Sequence, residues 1–314
     1  MLPLIRRKSR NADNGIRMGK FALLLSIPFL VYGISGIIPR HPPEFREFRK
    51  SLKPDRIDRF LNAKSPKAMV RTQGGWLWAT GKDLASKTNN EALIFIMAND
   101  YDRAAEILKQ VTQKDRQFFP ARFNLGKVYL RIKKHKEALL QFKMARNLVP
   151  GYWNNYYYIA LSYQRMGDYD AAEHYYKLSY RHNPYHLDSL TALGDLLLEQ
   201  GRLMDAKKRY LDALRYDDGF NNALIGLGKV ELKLRRYYEA TLYFRSVDTS
   251  KPYNKELHYY YAEAAFFAQM YATAVEQYKL LLQFPQDPIY NKVSVTRIKF
   301  RLKQAQKLAL QSTQ

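Results

Sequence analysis

Two groups of polar side chains have spacings that could serve chemistry, and the first is a histidine pair. His182 and His186 lie four residues apart, which on one helix would point both imidazoles toward a single metal ion. Pro184 lies between them, and proline interrupts a helix because it lacks a backbone N–H and clashes with the preceding turn. The two imidazoles therefore do not share a helix face, and the spacing does not predict a metal site.

The second group is Asp168, Asp170 and Glu173, which resemble the start of a Ca²⁺-binding loop. Such a loop needs about twelve residues centred on a glycine and closed by a glutamate, and none follows. A turn and a helix cap are predicted instead. The sequence contains no phosphate-binding glycine loop, no nucleophile elbow and no cysteine. It therefore predicts a protein that is not an enzyme and has no catalytic residue, cofactor or metal.

The elements that carry these residues repeat every 34 positions. A small residue marks each copy, and four residues later comes a large apolar or aromatic one. The small residues are Ala104, Ala138, Ala172, Ala206, Ala240 and Ala274, and the large ones are Leu108, Phe142, Tyr176, Tyr210, Phe244 and Tyr278. A fixed spacing through six copies predicts a repeat architecture.

A second signature in the same frame is a large residue followed by a small one. It reads Leu125-Gly126, Ile159-Ala160, Leu193-Gly194, Leu227-Gly228 and Tyr261-Ala262, with Glu91-Ala92 as a degenerate first copy, and Pro150, Pro184 and Pro252 close three units. The combined pattern resembles the tetratricopeptide repeat (TPR) family, whose unit of about 34 residues is a helical hairpin.

The resemblance implies an all-α fold, a right-handed TPR superhelix in which stacked hairpins bury the apolar faces that one hairpin leaves exposed. The small residues would lie where two helices cross, which lets their backbones approach closely. The six units would span residues 85–118, 119–152, 153–186, 187–220, 221–254 and 255–288, and residues 289–314 would form a C-terminal capping helix.

The resemblance also implies a concave groove, built from the first helix of each unit, that binds a peptide or helix of another protein. The family's groove positions fall here on Phe123, Lys127, Arg131, Asn154, Tyr157, Gln164, Arg165, Asp188, Asp195, Glu199, Asn222, Lys229, Lys233, Tyr259, Glu263 and Phe267. Their charge alternates along the groove, which suits a partner with patterned charge. The lysine–asparagine clamp that some members use for chaperone tails is absent, so a soluble co-chaperone is a disfavoured alternative.

The N-terminal region predicts a membrane anchor. Residues 1–20 form a basic tail, and residues 21–38 contain no charge. As a helix, those eighteen residues would be about 27 Å long, close to the roughly 30 Å of a hydrocarbon core. A single-pass transmembrane helix is therefore predicted at 21–38, acting as a signal anchor. A cleaved signal peptide is the alternative, with Gly33-Ile34-Ser35 as the one passable cleavage site.

Basic residues flank this segment on both sides, so their distribution does not fix its orientation. A short basic start before a first apolar segment is the usual export signal. This favours an N-terminus in the cytoplasm of a bacterium, an anchor in the inner membrane and repeats in the periplasm.

Residues 39–84 form a linker with two short amphipathic helices, one around Phe45 and Leu52 and one around Ile57 and Leu61. These helices lie either on the membrane surface or, alternatively, act as a spacer or a cap on the first repeat. The Trp76 and Trp78 side chains that follow are expected to cover the apolar face of the first unit, and a partner-binding plug is the alternative.

The net charge of +23 lies mostly outside residues 85–288. A groove for nucleic acid should concentrate positive charge within the repeats, whereas an excess in the flanks fits an anionic membrane surface. Other proteins are therefore the predicted partners, and a membrane-tethered RNA-binding repeat protein is the alternative. We expect a membrane-anchored scaffold for protein–protein interaction that binds an envelope partner. Such a protein could be an oligomeric, structural component of an envelope or motility complex.

Overall fold

The computed structural model describes residues 54–64, 70–250, 254 and 256–312. Every described residue belongs to one unit of the chain, residues 41–314. The predicted tail at 1–20, transmembrane helix at 21–38 and amphipathic helix around Phe45 lie outside the described residues. Within the described ranges, no helix combines the length and the hydropathy that a membrane span requires.

The described chain begins with helix α1 (Pro54–Lys64) and an antiparallel hairpin of strands β1 (Val70–Gln73) and β2 (Trp76–Ala79). Six helix pairs follow: α2 (Leu84–Met97) with α3 (Tyr101–Lys114), α4 (Phe119–Arg131) with α5 (His135–Leu148), α6 (Trp153–Arg165) with α7 (Tyr169–His182), α8 (Leu187–Glu199) with α9 (Leu203–Tyr216), α10 (Asn221–Lys233) with α11 (Tyr237–Arg245), and α12 (Leu257–Phe267) with α13 (Tyr271–Leu281). A 3₁₀ turn (Pro288–Asn291) leads to the last helix, α14 (Val295–Gln311).

In the second, fourth and fifth pairs, a ring of the second helix packs on a glycine of the first helix. All six repeating alanines are fully buried, as are the large residues four positions later. The rings lie directly on the glycines of the first helices: a Cβ on Gly126 would come within 2.8 Å of the Phe142 ring, and one on Gly228 within 2.5 Å of the Phe244 ring. Glycine is required at these positions because any larger residue would overlap the ring.

The turn inside each pair has one residue in the left-handed conformation, again every 34 positions. These residues are Asn99, Lys133, Gly167, Gly201, Arg235 and Gln269, with φ between 60° and 83°. In the third pair, the Asp168 side chain accepts a hydrogen bond from the Ala171 N–H and caps α7. The predicted turn and helix cap at this position are therefore confirmed.

Successive helices pack along the array, and first helices of neighbouring pairs also contact each other, as α2 does with α4 and α8 does with α10. A layer of first helices thus lines one side of an α-solenoid. At its end, α14 packs on α13 through the buried Ile298 and Ala305. This covers the apolar face that the sixth pair would otherwise expose.

The linker departs from the all-α prediction, because residues 70–79 form a β-hairpin. Strand β2 lies against α2 and α4, and Trp76 and Trp78 pack on the core of the first pair. Helix α1 contacts β1, its Leu61 is fully buried, and its Phe60 ring lies 5.8 Å from that of Trp153. The apolar side of α1 therefore packs on the repeats rather than on a membrane.

Candidate functional site

The groove formed by the first helices has two open depressions that meet at Tyr157, Leu161 and Arg165. The first has a volume of about 680 Å³ and lies between the hairpin turn and helices α4 and α6. The second has a volume of about 600 Å³ and continues past α8 and α10 to Lys292. Together they form one groove, here called the open groove.

Nine of the sixteen residues predicted for the groove line it. They are Lys127, Arg131, Tyr157, Gln164, Arg165, Asp195, Glu199, Lys229 and Lys233. Each comes from the first helix of a pair, and the groove brings together the basic residues of α4 and α6, the acidic residues of α8 and the basic residues of α10.

The other seven predicted residues do not line these depressions. Phe123 is 1% exposed and packs edge-on against Phe142 in the core, so its prediction as a groove residue is wrong. Asn154 donates a hydrogen bond to the Tyr152 hydroxyl, and Phe267 stacks on Tyr237. Asp188 and Asn222 are exposed, and Tyr259 and Glu263 lie on α12 beyond the groove as bounded here.

Sequence reasoning missed Gly74, Gly75 and Trp76 of the hairpin, and also Leu130, Lys133, His135, Tyr158, Leu161, Tyr176, Ala192, Leu198, Leu232, Glu256, Tyr260 and Lys292. Some of these had a signal, since Tyr158, Ala192 and Tyr260 occupy one position of the 34-residue frame. That position also contains Asn90 and Asn124, whose side chains bind the hairpin.

Strand β2 fills the groove of the first two pairs through its backbone. The Leu77 N–H donates to Asn124 Oδ1 (3.0 Å), and Asn124 Nδ2 donates to the Leu77 carbonyl (2.8 Å). Asn90 makes the same two bonds with Ala79 (2.9 and 2.7 Å). Because Leu77 and Ala79 are alternate strand residues, their backbone groups face the same way. Two repeat-equivalent asparagines thus bind an extended segment of their own chain.

Lys127 holds the hairpin turn against the groove. Its Nζ donates to the Gly75 carbonyl and lies 4.1 Å from the centroid of the Trp76 ring, a cation–π contact. Burial, together with the nearby Arg131, lowers the pKa of Lys127 to about 7. A negative charge arriving beside it would raise this pKa again, since an opposite charge favours the charged form.

Tyrosines of the second helices reach through the helix layer to groove residues. The Tyr176 hydroxyl donates to Gln164 Oε1 (2.8 Å), and that of Tyr210 donates to Asp195 Oδ1 (2.6 Å). Burial raises the pKa of both tyrosines, and the Asp195 carboxylate adds to this for Tyr210. The Asp195 side chain is exposed, yet partial loss of hydration within the groove raises its pKa. The hydrogen bond from the Tyr210 hydroxyl acts in the opposite direction and lowers this pKa.

The Glu256 carboxylate at the far end of the groove is paired within the protein. Glu256 accepts hydrogen bonds from Lys229 (2.8 Å) and Lys292 (2.7 Å). Burial raises the pKa of Glu256, but the two lysines outweigh it and the net shift is downward. The Glu256 carboxylate is therefore already shared by two lysines of the protein.

His182, His186 and Glu173 each contact different residues of the protein. The His182 ring stacks on Tyr156, and His186 Nδ1 is hydrogen-bonded to Ser189 Oγ (2.6 Å). Glu173 pairs with Lys177 and Arg202. Within the described ranges, no group of three or more His, Asp or Glu residues is arranged to hold a metal ion.

Comparison with known proteins gives the same architecture. One family model described as tetratricopeptide repeat matches residues 157–203 and 191–255, and a second with that description matches residues 95–158. The uncharacterized protein ycf37 of Guillardia theta is 29% identical over 138 residues, which cover 40% of this chain and 76% of that protein.

Three solved structures show similar folds. A tetratricopeptide repeat protein from Parabacteroides merdae aligns with a TM-score of 0.54 and 19% identity, covering 71% of this chain and 93% of that one. PilW, a type IV pilus biogenesis factor, aligns with a TM-score of 0.57 and 15% identity, covering 68% and 99%. The pilF protein of Pseudomonas aeruginosa aligns with a TM-score of 0.56 and 15% identity, covering 71% and 96%. At these identities the likeness concerns the fold alone.

Proposed function

Because this chain belongs to the tetratricopeptide repeat family, we propose that it is a non-enzymatic scaffold whose open groove binds a peptide or helix of another protein. The single observation that carries the proposal is the open groove itself. Tyr157 and Leu161 give it an apolar centre, with basic residues on the side of α4 and residues of both signs on the side of α8 and α10. An apolar centre within a patterned charged rim is the arrangement that gives a protein interface both affinity and register.

The proposal includes a membrane anchor at residues 21–38 and a partner in the bacterial envelope. Its support is the uncharged run of eighteen residues behind a basic start. A structural place in an envelope or motility complex follows the same line, since PilW, which has a similar fold, is a pilus biogenesis factor. The repeats would then act in the periplasm.

The groove is tested by photo-crosslinking in cells that express the full chain. A photo-reactive residue at Tyr157 is compared with one at Tyr238, which is 60% exposed on the second helix α11 and does not line the groove. We expect one protein to be captured from Tyr157 and not from Tyr238. Equal capture from the two positions, or capture from neither, contradicts the proposal.

The anchor is tested separately. We expect the full chain to stay with membranes after carbonate extraction, and Phe29→Arg together with Leu30→Arg, at the middle of residues 21–38, to release it, because charged residues are costly at the centre of a bilayer. Recovery of the unmodified chain in the detergent-free supernatant would favour the soluble co-chaperone instead.

A further inference from the structure

The first depression of the open groove is lined by basic side chains and by no carboxylate. These residues, here called the basic basin, are Lys127, Arg131, Lys133, His135 and Arg165. Arg131 and Arg165 lie 34 residues apart in the sequence and therefore occupy the same position on neighbouring helices, α4 and α6. The repeat thus places two guanidinium groups side by side in one concave surface.

The cations of the basic basin are not neutralised within the protein. In the part of the chain that the structure describes, neither Arg131, Lys133 nor Arg165 has a carboxylate within 4.0 Å. All three are exposed. The far end of the groove differs, because Lys229 and Lys292 share Glu256 there. Clustered like charges repel one another, so this surface gains most from an external anion.

The basin has a closed end and an open end. The hairpin turn closes it, since Lys127 is bonded to the Gly75 carbonyl and covered by Trp76. The other end leads across Tyr157 and Leu161 to Asp195 and Glu199. Neither of these carboxylates has a lysine or arginine within 4.0 Å among the described residues. Charge therefore changes from positive to negative along one continuous path.

We propose that the basic basin binds an acidic segment of the partner protein, with two carboxylates about two residues apart, and that an apolar and then a basic residue of the same segment lie over Tyr157 and Asp195. This inference rests on the proposed function and specifies its partner. The basin is not the lysine–asparagine clamp that other family members use for chaperone tails, because that pair of residues is absent from this chain; Lys127 stands at one of the clamp positions, but its partner position holds Phe123.

The chemistry of the basin favours carboxylates. Each guanidinium has a planar fork of donors that matches a carboxylate with two parallel hydrogen bonds. Neighbouring packed helices lie about 8–10 Å apart, and side chains two residues apart in an extended peptide lie about 7 Å apart on the same face. Arginine side chains are flexible enough to make up the difference between these two distances. One peptide can therefore bind Arg131 and Arg165 at the same time.

A continuous polyanion fits this path poorly. A nucleic acid strand that entered the basin would carry its next phosphates over Asp195 and Glu199, where like charges repel them. A peptide can change sign along its length, as the groove does. The observations therefore favour an acidic segment of protein over RNA.

The test measures peptide binding to the full chain in detergent micelles by fluorescence anisotropy. The probe is a labelled peptide with two glutamates two residues apart, then two leucines, then a lysine, and the control is a peptide of the same composition with the lysine placed between the glutamates. We expect the probe to bind at least about tenfold more tightly than the control, and its affinity to fall with added salt. Equal affinities overturn the proposal.

A charge swap separates this result from loss of folding. Arg131→Glu with Arg165→Glu should weaken the probe by about tenfold or more and should create binding to a peptide whose glutamates are replaced by lysines. The matched control, Arg181→Glu with Lys208→Glu, makes the same change of net charge at exposed positions of the second helices and should change neither affinity. Failure of the swapped peptide to bind the swapped protein overturns the proposal.

Two further outcomes separate the assignment of an acidic peptide from the scaffold function. Tighter binding of a labelled single-stranded RNA than of the probe, abolished by Arg131→Glu with Arg165→Glu, would replace the acidic peptide by nucleic acid. A partner captured from Tyr157 whose contact segment lacks paired carboxylates would refute the acidic-segment assignment and leave the scaffold function standing.

Discussion

Replacing Gly226 by alanine should destabilise the solenoid, although the same change would stabilise an ordinary helix. Alanine is preferred over glycine inside a helix by about 1 kcal/mol. At Gly226, however, the new Cβ would lie 2.3, 2.4 and 2.7 Å from three atoms of the Tyr210 ring. Ordinary contacts between carbon atoms are about 3.5–4.0 Å, so the overlap exceeds what a small shift removes.

The Tyr210 ring has little freedom to retreat. It is fully buried, it lies close to Gly194 of its own pair, and its hydroxyl is bonded to Asp195. Overpacking of this kind costs about 3 kcal/mol at the upper end of its usual range. After the gain in helix propensity, we expect a net loss of about 2 kcal/mol in the free energy of unfolding.

The measurement is urea unfolding followed by circular dichroism, together with hydrogen exchange of α9 and α10, because a repeat array need not unfold as one unit. In a double-mutant cycle, Tyr210→Leu should remove most of the cost of Gly226→Ala. The control is Gly201→Ala, where the new Cβ meets nothing within 4 Å but φ is +75°, so a cost of about 1 kcal/mol from the left-handed backbone is expected with no coupling to Tyr210. Stabilisation of the protein by Gly226→Ala would refute the reasoning.

Two other changes test the two ends of the groove. Asn124→Ala removes two hydrogen bonds to strand β2 and should speed amide exchange at Leu77 by an amount equivalent to about 2 kcal/mol. The control Asn147→Ala, at an exposed position, should not change this exchange rate. Unchanged protection of the Leu77 amide in Asn124→Ala would contradict a bound strand. Glu256→Gln should cost about 2 kcal/mol at pH 7 by urea unfolding, unlike the exposed control Glu276→Gln. The pKa of Glu256 in the folded protein lies below its ordinary value. The carboxylate therefore stabilises the folded protein above the pKa of the unfolded state, and this stabilisation is lost as pH falls through the pKa of the folded state. If Glu256→Gln were still less stable than the unmodified protein in strong acid, this explanation would be wrong.

The repeat architecture could be predicted because the same residue types recur in the sequence at a fixed spacing of 34 residues. Four successive first helices begin at Phe119, Trp153, Leu187 and Asn221, which are 34 residues apart. This follows from local physics, since a small residue and a ring in fixed register define each helix crossing. The family of the chain was therefore visible in the sequence.

The parts that escaped prediction depend on contacts between distant residues. Nothing in residues 70–79 alone shows that their backbone is bound by Asn90 and Asn124, because those bonds join segments that are remote in sequence. Phe123 was misplaced for a similar reason: it stands at a groove position of the family, but the neighbouring Phe119 and Tyr152 rings draw it into an aromatic cluster. The left-handed backbone at Lys133 also lacked the glycine that marks such positions.

The hairpin in the groove breaks a symmetry that stacked copies otherwise create. An array of equivalent units offers a ligand several frames, each displaced by one unit, with similar contacts in every frame. Strand β2 occupies the groove at the first pairs, so a ligand cannot bind there. The hairpin turn at Gly75 marks the end of the part that stays open. A ligand that contacts this turn can bind in one register only. A periodic scaffold thereby gains a unique binding register.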